Sequence, residues 1–431
     1  MITKIETLPN EILINIFSYL PWFDILTSLW SLNFRFNSLV CSILSINDNQ
    51  LNSGLLITHG LSYNKCCSIL FPLILNSSSL CSSIQRIHFD ETNSIASDLC
   101  YQWLFNDKNI LRFPNLKSFI LTRCGSIEPI IQSLSHLIEH QLEELTLTFD
   151  HQVFKRFFYS KKYSSITSSE EKEIIMIEQL LRQLFSARCQ LTSLRLDISN
   201  EFRFGGIHGC LASNSHLFSN FIQCQFSSCC VTLRRLHIRL NQTRFLESLI
   251  EHVPNLEKIF VEFHSSLNNA SSWSSNVEIL KQSNGNWFNK VPKLRYFSLK
   301  TFIYTDLEFI YLKWLLNNFN YVEKLQLHLK SNKIIETRYK NIWKSIIDAD
   351  FIRQYCLPDM ITNLIDFNFY ISTQCQLSIS DISKITNSFK IDSFFISHQW
   401  TNVKCLFDPI MSYQHLFSSF TNMLHFSNNS M

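Results

Sequence analysis

The stretch Leu142-Glu143-Glu144-Leu145-Thr146-Leu147-Thr148-Phe149 alternates apolar and polar residues over its last five positions, as a strand buried on one face does, and Leu142 adds an apolar position three residues earlier. The same frame, Leu-x-x-Leu-x-Leu with Phe, Ile or Val substituting, recurs along the chain. Clear copies begin at Leu116 (Phe119, Leu121), Leu142 (Leu145, Leu147), Leu191 (Leu194, Leu196), Leu233 (Leu236, Ile238), Leu256 (Ile259, Val261), Leu294 (Phe297, Leu299), Val322 (Leu325, Leu327) and Leu364 (Phe367, Phe369). Fainter copies begin at Ile84 and Ile391.

Between copies lie stretches of helical period. Ile127, Ile130, Ile131, Leu134, Leu137 and Ile138 make one buried face, and Ile174, Ile177, Leu180, Leu181, Leu184 and Phe185 make another. A unit of strand plus helix cannot cover its own apolar faces, so such units stack. The expectation is an α/β chain whose larger part is an irregular strand-helix solenoid with a parallel inner sheet. A non-repetitive α/β domain with parallel strands would give the same alternation without a fixed period. The repeating frame resembles the leucine-rich-repeat family, which implies a horseshoe with the sheet on its concave side. The family often carries Asn or Cys at the ninth repeat position. Cys124 and Asn241 match, whereas Asp150, Phe302 and Lys330 do not, so the array is degenerate. Uneven spacing requires insertions, and exposed loops are expected near 158–172 and 265–276.

The first forty residues read differently. In Leu8-Pro9-Asn10-Glu11-Ile12-Leu13-Ile14-Asn15-Ile16-Phe17-Ser18-Tyr19-Leu20, Pro9 suits a first helical position and Glu11 the first turn. Ile12, Leu13, Ile16, Phe17 and Leu20 recur at one-turn spacing, and Pro21 ends the helix. Asp24 is the expected N-cap of a second helix carrying Ile25, Leu26, Leu29 and Leu32. Asn33 precedes a third segment, Phe34 to Val40. Three helices of this size bury little by themselves, so their exposed apolar positions call for cover. Leu8-Pro9, Glu11-Ile12-Leu13, Ile16-Phe17, Tyr19-Leu20, Asp24-Ile25 and Leu29 resemble the F-box motif, over roughly residues 5 to 45. Leu39-Val40 stands where that motif commonly ends in tryptophan.

The resemblance implies that the chain docks a Skp-type adaptor, and through it a cullin complex, by Leu8, Pro9, Ile12, Leu13, Ile16, Phe17 and Leu20. The chain would then be the substrate-recognition adaptor of an SCF-type cullin-RING ubiquitin ligase, with no catalysis of its own. The alternative is a repeat-protein scaffold or inhibitor that recruits no ligase. The expected organisation is a three-helix F-box at 1–48, a helical linker or capping segment at 49–82, the repeat array at 83–420 and a tail at 421–431.

In the repeat frame, the residues between and after the last apolar positions point away from the core. Arg195, Asp197, His237, Arg239, Phe260, Glu262, Lys300, His328 and Tyr370 are therefore candidate contacts for an unidentified protein target. Thr146, Thr148, Ser298, Gln326 and Asn368 share that side. Any half-exposed strand is polar outward, so a merely solvated face has the same appearance.

Composition narrows the classes. Lys and Arg total 38 and Asp and Glu 35, for a net charge of +3, and the two signs are interspersed, which argues against nucleic acid as main partner. The apolar stretch from Ile12 to Leu32 is broken by Asn15, Pro21 and Asp24, so no membrane span is expected. Fourteen scattered cysteines do not form a small disulfide scaffold, which points to a reducing compartment, cytoplasmic or nuclear or both. His136-Leu137-Ile138-Glu139-His140 fits H-x-x-E-H of zinc peptidases, but it closes a repeat helix and reads better as a histidine-bearing C-terminus. His208, Cys210, His216, Cys224, Cys229 and Cys230 lack paired spacing. With seven glycines and no phosphate or dinucleotide loop, neither cofactor nor metal is expected.

Overall fold

The computed structural model describes residues 5–45, 54–57, 61–90, 95–105, 112–124, 128–149, 168–197, 229–240, 243–267, 287–331, 347–375 and 377–418. The chain is mixed α/β with mostly parallel strands, and it divides into two compact units, Met1–Asp197 and Ile198–Met431.

The first unit opens with three helices. α1, Asn10–Phe17, follows Pro9, whose extended ψ of 151° turns the chain into the helix. It is shorter than the expected run to Leu20. Ser18 to Leu20 form a turn, and Pro21 takes the cap position of α2, Trp22–Leu29. Asp24 therefore lies inside the first turn of α2, where its carboxylate still complements the helix dipole, instead of capping it. α3, Phe34–Ser45, runs past Val40 and is capped as expected, the Phe36 N–H donating to Asn33 Oδ1 at 2.9 Å. Arg35 fastens the start of α3 to that of α1, donating to Asn10 Oδ1 at 2.8 Å and to the carbonyls of Glu6 and Leu8. Leu13, Phe17, Ile25, Leu26, Phe36, Leu39 and Val40 form the shared core.

Strands begin earlier than the expected boundary at 83. β1, Leu55–Ile57, falls inside the stretch anticipated as helical linker, and the Trp22 indole N–H reaches its Leu56 carbonyl at 2.8 Å, tying the helices to the sheet. Gly54 enters β1 at φ +82°, and a Cβ there would stand 2.5 Å from the Arg86 carbonyl oxygen, so both conformation and space demand glycine. A helical stretch then follows, with a π turn at Cys66–Leu70 between Tyr63–Lys65 and Phe71–Leu75.

β2 (Arg86–Asp90), β3 (Ser118–Cys124), β4 (Glu144–Phe149) and β5 (Ser193–Asp197) continue the parallel sheet in sequence order. Leu55, Ile87, Phe119, Leu145 and Leu194 lie in one lateral row, all buried. The helix Glu128–His140 buries Ile131, Leu134, Leu137 and Ile138. The helix Ser168–Leu184 buries Ile177, Leu180, Leu181 and Leu184 and, just beyond it, Phe185. This second helix corrects the loop expected near 158–172. Its residues from 168 onward are helical, and Lys172 meets Glu128 at 2.7 Å, while 158–167 lie outside the described residues.

In the second unit, β6 (Arg235–Leu240), β7 (Lys258–Ser266), β8 (Tyr296–Ile303), β9 (Lys324–Ser331) and β10 (Asp366–Gln374) are again parallel and in sequence order. β7 runs through Ser265 and Ser266, where a loop was expected, and 268–276 lie outside the described residues. Phe302 and Lys330, which depart from the family's ninth position, continue β8 and β9, with the Lys330 ammonium 5.7 Å from the Phe302 ring centroid.

One backbone device recurs in both units. Two successive N–H groups at the start of a strand donate to a single carbonyl of the preceding repeat: Glu143 and Glu144 to Lys117, Arg295 and Tyr296 to Glu257, Ile365 and Asp366 to Glu323. Sharing one acceptor fixes where each strand begins relative to its neighbour, and so fixes which residues form a row.

The progression then reverses. β12 (Tyr413–Phe417) pairs antiparallel with β10, and β11 (Lys404–Asp408) pairs antiparallel with β12. The strand expected from Ile391 is not formed. Ile391 ends the helix Ile379–Ile391, and Asp392 caps the next helix, Ser393–Ser397, accepting from the N–H groups of Phe394 and Phe395. The tail 421–431 lies outside the described residues.

Candidate partner-binding surfaces

Most of the residues singled out from the sequence fall on two surfaces, one on each unit. On the N-terminal helices the seven expected docking residues do not form one stripe. Leu13 and Phe17 are buried at 0% and 1% exposure, with the Phe17 ring 6.2 Å from Phe36, and so belong to the core of the helices themselves. Ile12, Ile16 and Leu20, each one position before or three after a core residue, stay 47%, 41% and 42% exposed. Pro9 is exposed and Leu8 half-buried. Tyr19, Phe34 and Ile5, none of them expected at a docking surface, add further exposed apolar area. Adjacent large apolar side chains left in water on so small a module are unfavourable unless something covers them.

On the second unit, strand period and register build a regular face. Leu236, Ile259, Phe297, Leu325 and Phe367 form one buried row, and Ile238, Val261, Leu299, Leu327 and Phe369 another. The alternate residues point the other way. Arg239, Glu262, Lys300, His328 and Tyr370, all singled out from the sequence, lie side by side in one lateral row across five strands. His237 and Phe260 fall in the row before, continued by Ser298, Gln326 and Asn368. Arg195 and Asp197 sit on β5 in the first unit, beside Thr146 and Thr148.

The rows are knit by side chains. Glu262 lies between Arg239 at 3.5 Å and Lys300 at 2.9 Å. His237 and Phe260 stack at 5.8 Å, and Phe260 meets Tyr296 at 4.8 Å. Tyr370 contacts His328 edge-on at 4.9 Å and shares a 2.7 Å hydrogen bond with His415 Nδ1. Burial, together with the ammonium groups of Lys300 and Lys330, pushes the His328 imidazole down to about 3, and burial also lowers His415, with Lys330 adding to that effect against Asp408.

The sequence reading missed the row nearest the strand starts, where Arg235, Lys258, Tyr296, Lys324 and Asp366 are lateral neighbours. The period-two rule that found the other rows reaches these positions when carried two residues back.

Among the described residues no constellation for chemistry stands out. Among the described residues no group of three or more His, Cys, Asp or Glu side chains is placed to hold a metal ion. The His136 and His140 rings meet at 4.7 Å, tilted 57° to each other, at the end of their helix, with Glu139 4.0 Å from His140. Of the second candidate cluster, Cys229 and Cys230 are described, Cys230 being buried, and His208, Cys210, His216 and Cys224 lie outside the described residues. Among the described residues no helix is long and apolar enough to cross a membrane. Scanned against protein-family models the chain matches none, and a search of curated proteins finds no similar sequence.

Proposed function

We propose that the chain is a substrate-recognition adaptor of an SCF-type ubiquitin ligase, a horseshoe of leucine-rich-repeat type preceded by an F-box. The supporting observation is the division of labour on α1. Leu13 and Phe17 hold the three helices together, while Ile12, Ile16, Leu20 and Tyr19 present an apolar surface to solvent on a module otherwise well tied down by Arg35 and Trp22. A surface of that kind fits a docking partner, and the F-box resemblance of the same residues names a Skp-type adaptor. The repeat array would hold the target, so that ubiquitin transfer gains from proximity and the chemistry rests with other subunits. The chain would act in the cytoplasm, the nucleus or both.

The test is co-purification of the full chain with a Skp-type adaptor, comparing wild type with Ile12→Asp/Ile16→Asp. These positions are exposed, so the variant keeps its fold and places charge in the docking surface. Adaptor retained by wild type and lost by the variant is the expected result. A folded wild type that retains none removes the ligase role and leaves a repeat scaffold.

A further inference from the structure

We infer that the outward sheet face of the second unit captures an acidic, extended peptide segment of the target, with an aromatic side chain between its acidic residues. This rests on the reading of the repeat array as the target-binding part. The chain's charge is nearly balanced, but this face is not. β11 at the sheet edge contributes one charge of each sign, Lys404 and Asp408, but across the five parallel strands Arg235, Arg239, Lys258, Lys300, Lys324 and Lys330 share the face with two carboxylates, Glu262 and Asp366. Both carboxylates are already engaged, Glu262 by Arg239 and Lys300, and Asp366 by the Asn368 amide at 2.6 Å. Arg235, Lys258, Lys324 and Lys330 are exposed. Among the described residues the corresponding face of the first unit has no such excess, since Arg86 and Arg195 share it with Glu144 and Asp197.

Spacing refines the ligand. Strands lie about 4.8 Å apart, so Lys258 and Lys324, two strands apart, are separated by roughly 10 Å at the backbone, and Arg235 and Lys324 by roughly 14 Å. An extended peptide crossing the strands covers the longer distance in about four residues. Between these cations stand Phe260 and Tyr296, their rings 4.8 Å apart, an aromatic step for a planar or apolar side chain. Glu262 in the middle of the face disfavours an unbroken phosphate chain, which favours a peptide over nucleic acid as occupant. Burial is the main cause of the lowered His328 imidazole, and the ammonium groups of Lys300 and Lys330 on this face lower it further.

The test is fluorescence anisotropy on the full chain with three labelled probes. One is a peptide bearing two acidic pairs about four positions apart around a phenylalanine. The others are its lysine counterpart and a single-stranded oligonucleotide of matching charge. The acidic peptide is expected to bind, to weaken with added salt, and to lose about tenfold or more in affinity in Lys258→Glu/Lys324→Glu. Lys390→Glu, an exposed cation on the helix Ile379–Ile391, should change nothing. Circular dichroism verifies that each variant is folded. An acidic peptide that fails to bind, or that binds the double variant equally well, overturns the inference, as does tighter binding of the oligonucleotide through the same lysines. Adaptor co-purification in parallel separates the two readings. Adaptor bound without acidic peptide sinks this inference alone, and peptide bound without adaptor sinks the ligase role alone.

Discussion

Ile16 and Phe17 are chain neighbours with opposite expected behaviour. Phe17→Ala removes a core ring and should cost about 3–5 kcal/mol in urea unfolding, whereas Ile16→Ala, at an exposed site, should stay within about 0.5 kcal/mol while weakening the proposed adaptor contact. The sequence could not separate them. Ile12 and Ile16 form one line at four-residue spacing and Leu13 and Phe17 the next, both apolar, and period alone does not say which line meets the protein's own core. At the same scale His328 gives a pH signature. Its folded pKa, about 3, lies below the unfolded value near 6.5, so between those limits the unfolded chain binds the proton more readily and stability falls as pH falls. The lowered pKa values of His252 and His415 act in the same direction. Thermal unfolding should show a loss between about pH 7 and about pH 5, and His328→Gln should reduce it by on the order of 1–2 kcal/mol. An unchanged loss in that variant would remove His328 as a contributor.

Among the elements, the N-terminal helices depend on two polar ties. Arg35→Ala leaves the Asn10 side chain and two carbonyls without their shared donor, and should destabilise the helices by about 1–3 kcal/mol. Trp22→Phe removes the link to Leu56 and also trims a buried indole that packs edge-on against Phe23, so it should cost about 1–3 kcal/mol, both readable as shifts of the urea midpoint. All eight clear repeat copies are strands, because each combines alternation with the extra apolar residue that buries the turn before it. Three strands escaped notice. β1 has three residues, too short for a period, and β11 and β12 lack the repeat frame because they pair antiparallel. The copy at Ile391 failed for a local reason: Asp392 begins a helix by accepting two backbone N–H groups, and four residues of apolar pattern do not outweigh that cap.

For the molecule as a whole, the exposed apolar surface of the helices and the low charged fraction bear on handling. Coexpression with a Skp-type adaptor should raise the soluble yield of the chain, and Ile12→Asp/Ile16→Asp should raise it without the adaptor, as measured by the supernatant fraction after centrifugation. Equal yields in all cases would argue that the surface is innocuous in water. Fold class was open to sequence reasoning because it depends on periods. The asymmetry of charge between the two sheet faces was not, because a net charge of +3 averages over rows that only register assembles.

Register has a consequence for how such a chain drifts over generations. Arg239, Glu262 and Lys300 are far apart in sequence and adjacent in space, so an exchange at Glu262 alters the surroundings of both cations at once. Consecutive residues of one strand face opposite media and are free of each other. Descendants of this gene should therefore change largely by columns, with compensating exchanges travelling sideways from one repeat to the next.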